Sequence, residues 1–135
     1  MKHEAESLSI KVNGVSISYT DSGNEKGHPI IFIHGFPLNK SMWENQRKAF
    51  WNKNRVITYD IRGYGNSELG KEKLSIDILT VDLLLLMDAI GLDKVILCGF
   101  SMGGYIALNA MEKFPERIIG LVLADTQCQA DTEKV

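Results

Sequence analysis

Val95-Ile96-Leu97-Cys98-Gly99-Phe100-Ser101-Met102-Gly103-Gly104-Tyr105-Ile106-Ala107-Leu108-Asn109-Ala110-Met111 reads as a strand, a one-residue corner and a helix. The first four residues are an apolar run, and the last seven form a helix-like stretch. A serine at such a corner is forced into a strained backbone conformation and held clear of the sheet. The strain draws together the residues two before and two after it. Gly99 and Gly103 occupy those places, where a Cβ would clash. Gly104 is read as letting the helix lie tightly on the strand. The Met102 N–H, at the start of the helix, points where negative charge could be stabilised.

Working outward, Leu8–Val12 and Val15–Tyr19 alternate apolar and polar residues around Asn13-Gly14, a strong hairpin signal. Asp21 to His28 reads as a polar loop. Pro29–Ile33 is continuously apolar, as in a strand covered on both faces, and ends at His34-Gly35-Phe36-Pro37. Ser41-Met42-Trp43-Glu44 has the form of a capping box and predicts a helix to about Trp51. Arg55–Tyr59 is the next strand and runs into Asp60-Ile61-Arg62-Gly63-Tyr64-Gly65-Asn66-Ser67. Ser75 caps a helix over Ile76–Ile90, which Gly91 stops. The helix after Ser101 ends before Pro115. Ile118–Leu123 is a further apolar strand, closing at Ala124-Asp125-Thr126, and residues 127–135 form a polar tail.

Strands and helices alternate after the hairpin. That order predicts an α/β fold: a mostly parallel, doubly wound sheet with an antiparallel N-terminal hairpin. In such sheets, ligands bind beyond the carboxyl ends of the strands. His34-Gly35, the Asp60 loop, Ser101 and Asp125 all follow such an end, so they can share one edge.

The 135 residues suffice for one ordinary domain. A net charge of -2, with scattered Lys and Arg, gives no reason to invoke nucleic acid or an anionic membrane surface. The N-terminus has no apolar signal region, and Leu83–Met87 is far too short to span a bilayer. A cytoplasmic protein is expected. Cys98 and Cys128 have no disulfide-framework or metal spacing, and Cys98 is read as buried packing.

Three segments together carry a family resemblance: G-x-S-x-G at Gly99–Gly103, H-G-x-P at His34–Pro37, and D-x-R-G-x-G-x-S at Asp60–Ser67. The chain resembles the α/β-hydrolase fold family, in particular its small esterases, enol-lactonases and cofactor-free haloperoxidases. The resemblance implies hydrolysis of a carboxylic ester, lactone or similar small-molecule acyl substrate through an acyl-enzyme. C–C bond hydrolysis and perhydrolysis are the alternatives on the same scaffold. Ser101 would be the nucleophile, and the backbone N–H groups of Phe36 and Met102 the oxyanion hole. Gly35, Phe36 and Tyr64 would line the substrate site. No metal or organic cofactor is implied. His34 is read as a structural histidine that hydrogen-bonds loop backbone, and Asp60 with Arg62 as an internal ion pair. Asp125 stands where some branches of the family carry the triad acid; a polar strand-end residue holding a loop is the other reading.

The family orders its triad as serine, acid, histidine, yet His3, His28 and His34 all precede Ser101. The resemblance thus covers residues 1–126 as the N-terminal part of such a domain, lacking its late strands and cap. The base would come from outside this segment. The uncharged strand Ile118–Leu123 is expected to pair with a second polypeptide, either the missing half or a copy of itself. A non-catalytic interaction module, or a truncated inactive fragment, is the competing expectation.

Overall fold

The computed structural model describes residues 5–127; of the expected polar tail, residues 128–135 lie outside that range. The described residues form six strands: β1 (Leu8–Val12), β2 (Val15–Gly23), β3 (Ile30–Ile33), β4 (Arg55–Tyr59), β5 (Val95–Phe100) and β6 (Ile118–Ala124). Three α-helices join them: α1 (Glu44–Phe50), α2 (Ile76–Ala89) and α3 (Met102–Lys113). One sheet results, in the order β1-β2-β4-β3-β5-β6. The β1, β2 and β4 pairings are antiparallel; β4, β3, β5 and β6 run parallel. This is the mostly parallel α/β sheet with an antiparallel opening hairpin that the sequence predicts.

Side-chain alternation explains why helices cover both faces of the sheet. Ile31 and Ile33 of β3, with Val95 and Leu97 of β5, pack on Leu83, Leu86, Ile106 and Ala107 from α2 and α3. Ile30, Phe32 and Cys98 face the other way, onto Trp43. The Phe32 and Trp43 ring centres lie 4.9 Å apart. Cys98 sits within this packing, and burial pushes its thiol pKa up. After β3 the chain steps one way to β4, then crosses back over β3 to β5. The reversal opens a crevice at the carboxyl ends of β3 and β5.

Three local expectations are corrected. First, β2 continues through Asp21–Gly23, where a polar loop was expected. Its second half pairs with β4, from Tyr19 opposite Tyr59 to Gly23 opposite Arg55. The Arg55 guanidinium grips the Asp21 carboxylate at 2.9 and 2.6 Å, so turn-like residues are held extended by a cross-strand partner. Second, Asn39 rather than Ser41 caps the turn leading into α1. Asn39 Oδ1 accepts from Ser41 N at 2.9 Å, and a 3-10 turn over Lys40–Trp43 comes before α1. Glu44 does not close a capping box; its carboxylate binds Arg47, whose head is buried. Third, Asp60 and Arg62 do not pair with each other. Arg62 meets Asp82 of α2 at 2.8 and 2.9 Å, whereas Asp60 meets Lys40. Both acids are buried, so each needs its own cation. The Ser75 cap on α2 stands as read, accepting from Ile78 N.

Candidate active site

Ser101 joins β5 to α3 with φ 52° and ψ −115°. This is left-handed territory that an L-residue occupies only under constraint. The constraint is visible around it. Ser101 N–H donates to Ala124 O at 3.1 Å, and Ser101 O accepts from Gly104 N and from Thr126 Oγ1, both at 2.8 Å. The hydroxyl makes no capping bond to α3, so the side chain is not spent on ending a helix. A Cβ on Gly99 would lie 2.6 Å from the Gly103 carbonyl carbon, as the corner reading requires. Gly104 differs from that reading. Its close neighbour is the Thr126 side chain beyond β6, not the strand beneath the helix.

The loop after β3 abuts this corner. A Cβ on Gly103 would come within 2.7 Å of the His34 carbonyl oxygen, and one on Gly35 within 3.1 Å of the Phe100 carbonyl oxygen. The backbone of Ile33 and His34 therefore lies against Gly103, and Gly35 against Phe100. Met102 opens α3, so its N–H has no acceptor within the helix and stands at the positive end of the dipole. Phe36 is 68% exposed, and its ring meets Tyr64 edge-on at 6.1 Å. Tyr64 in turn packs edge-on against His34 at 5.5 Å.

His34 is fully buried, and both ring nitrogens are engaged. Nδ1 lies 3.0 Å from Gly35 O, and Nε2 lies 2.9 Å from Ile61 N. A carbonyl beside Nδ1 requires a proton there, and an N–H beside Nε2 requires a lone pair. The ring is thus a neutral strut between two loops, with no lone pair free for Ser101. Burial pushes its pKa below the ordinary 6.5. The unfolded chain then binds the extra proton more readily than the folded one, so stability falls as pH drops below about 6.5. Urea midpoints measured from about pH 7 to pH 5 should fall more steeply for the wild type than for His34→Gln. Equal slopes would remove the imidazole from the account.

Ser101 and Asp125 line one cavity of about 230 Å³, together with Tyr105, Thr126 and Gln127. Asp125 takes φ 47° as the chain turns off β6, and Thr126 folds back onto Ser101 O. Asp125 thus combines a strand-end turn with a place on the cavity beside Ser101. Tyr105 and Gln127 went unread in the sequence, and Gln127 Nε2 donates to Tyr105 Oη at 3.3 Å. The signal for Tyr105 was its spacing: four residues past Ser101 is one helical turn onto the same face. Among the described residues no three His, Cys, Asp or Glu side chains converge as a metal site. No described helix is long and apolar enough to cross a membrane.

Ser101 thus stands on a strained strand–helix corner at the switch point of the sheet, with the loop after β3 against the same corner. Residues 28–134 match the family model for the alpha/beta hydrolase fold, and the chain belongs to that family. It is 34% identical to epoxide hydrolase 4 of Mus musculus over 117 residues, covering 84% of this chain and 32% of that one. It is 32% identical to 3-oxoadipate enol-lactonase 2 of Acinetobacter baylyi over 117 residues, covering 87% of this chain and 44% of the relative. A solved thermophilic esterase from Thermogutta terrifontis superposes with TM-score 0.85 at 33% identity, over 96% of this chain and 48% of its own. The chain thus spans less than half the length of these relatives.

Proposed function

We propose that this chain is the nucleophile-bearing part of a serine hydrolase that cleaves small carboxylic esters or lactones through an acyl-enzyme. The strained, uncapped Ser101 corner carries the reading. Ser101 Oγ attacks the carbonyl carbon and gives its proton to a base. The N–H groups of Phe36 and Met102 hold the resulting oxyanion, each worth about 3 kcal/mol in the transition state. The tetrahedral adduct expels the alcohol, which takes the proton from the base. Water, activated by the same base, then releases the acid. Gly35 leaves room at the crevice, and the Phe36 and Tyr64 rings offer an apolar wall to the acyl group.

The chemistry of a hydroxyl separates this reading from epoxide opening. A carboxylate nucleophile opens an epoxide to an ester, which water can cleave. A serine would form an alkyl ether, which water does not cleave, so the cycle would stop after one turnover. Ser101 therefore favours the enol-lactonase and esterase likeness over the epoxide hydrolase one.

The base is assigned to polypeptide covering β6. This strand ends the sheet on its side, and Ile119, Val122 and Leu123 are 46%, 51% and 41% exposed. No charge blunts it, and such an edge pairs with a further strand. Because the chain matches less than half the length of these relatives, the favoured cover is a segment carrying later strands of the same fold and a histidine. A second copy of this chain is the alternative. A cytoplasmic setting belongs to the same reading, and cell fractionation tests it.

A fluorophosphonate probe tests the assignment. Ser101 should be labelled when the covering polypeptide is present, with both masses seen in native mass spectrometry. No labelling of the covered, folded protein would leave a non-catalytic binding module as the better reading.

A further inference from the structure

The loop from His34 to Lys40 is pinned at its start to Ile61 and at its end to the neighbouring Asp60. At its start, Ile61 N–H donates to His34 Nε2 at 2.9 Å. At its end, the Lys40 backbone N–H donates to Asp60 Oδ1 at 2.7 Å, and the Lys40 ammonium donates to Asp60 Oδ2 at 2.8 Å. Asp60 and Ile61 are buried neighbours just past β4. Between the pins, Leu38 N–H donates to Gly35 O at 2.9 Å, closing a turn around Phe36.

Asp60 Oδ2 also accepts from Asn66 N–H at 2.9 Å, and Lys40 Nζ reaches Ser18 Oγ of β2 at 3.0 Å. The backbone donors satisfy lone pairs but leave the buried negative charge uncompensated. The Lys40 ammonium, 12% exposed, compensates it. Charge-assisted bonds of this kind fix geometry more firmly than neutral ones. A buried carboxylate stripped of its cation draws in water, and the segment easiest to displace is the exposed run Phe36–Leu38.

We propose that Lys40 is a positioning residue that holds the Phe36 N–H in place through Asp60. The inference rests on the reading of that N–H as an oxyanion donor. Lys40 touches no reacting atom; it acts on a loop whose two ends are held by two adjacent residues.

Amide hydrogen exchange on the full chain, with its covering polypeptide, tests this. In Lys40→Met, peptides spanning residues 34–40 should exchange about tenfold faster while α2 and β5 keep wild-type rates, since local opening is separable from global unfolding. Fluorophosphonate labelling of Ser101 should slow in parallel. Unchanged exchange in the loop overturns the inference, and so does a uniform rise across β4, α2 and β5, which would mark a general stabiliser. If Lys40→Met does not fold, Lys40→Gln, neutral and still a donor, is read the same way. Failure of both to fold also overturns it. Labelled wild type with an unchanged variant loop sinks the inference alone. Unlabelled wild type with a faster variant loop sinks the proposed function and reduces Lys40 to a structural pin.

Discussion

Ser101→Ala should lose fluorophosphonate labelling and ester turnover by about four to six orders of magnitude, because a hydroxyl nucleophile has no substitute in acyl transfer. Circular dichroism of the variant should match the wild type. The side chain makes no capping bond to α3, and the bonds at this corner run through the Ser101 backbone. Ser101→Gly separates chemistry from strain. At φ 52° a glycine relieves the corner and should raise stability by about 1 kcal/mol while remaining inactive. Opposite movement of activity and stability at one position is the signature of a residue kept for its chemistry. Turnover in Ser101→Ala within tenfold of wild type would transfer the nucleophile's role elsewhere, and no gain in stability for Ser101→Gly would deny that the corner stores strain.

The features legible in the sequence are those set by short-range chemistry. Asn13-Gly14 makes a tight hairpin, Ser75 caps α2, Gly91 takes φ 74° after it, and the glycines flank Ser101. The hairpin, the Ser75 cap, Gly91 and Gly99 are decided by atoms within a few residues, whereas Gly103 answers to Ile33 and His34. Two of the errors share one cause: a partner distant in sequence. Asp21-Ser22-Gly23 reads as a turn until Arg55 is opposite it. Arg62 looks made for Asp60, two residues away, yet its partner is Asp82, which α2 brings in from twenty residues on. Ser41 with Glu44 fits a capping box, but Asn39 stands two residues earlier and its Oδ1 accepts from the Ser41 N–H, a local competitor rather than a distant one. The cavity at Ser101 was half legible. Asp125 follows a strand and could be placed at the edge, whereas Gln127 enters only because Thr126 bends the chain back onto the corner.

Gly103→Val should cost more stability than any other single change argued for this chain, more than about 4 kcal/mol, with the urea midpoint as the measurement. Intrinsic preference points the other way. Gly103 lies within the first turn of α3, where a residue other than glycine gains roughly half to 1 kcal/mol of helix propensity. Sterics decide the sign. A Cβ there would sit 2.7 Å from His34 O and nearer still to Ile33 O. Both are backbone atoms of the central β3 and its exit, held by neighbours on either side, so neither can turn away as a side chain would. Valine adds two methyls beyond that Cβ, and α3 would have to lift off the sheet. Lifting it uncovers Ile106, Ala107 and Ala110, all fully buried, and removes the Met102 N–H from the crevice. Gly91→Ala supplies the scale. Its Cβ would meet nothing within 4 Å, and φ 74° alone should cost about 1–2 kcal/mol. If the two variants melt together, the close approach of α3 to β3 is not what the glycine serves. If Gly103→Val is far worse, the position is held by contact between two backbones, α3 at Gly103 and the end of β3 at Ile33 and His34.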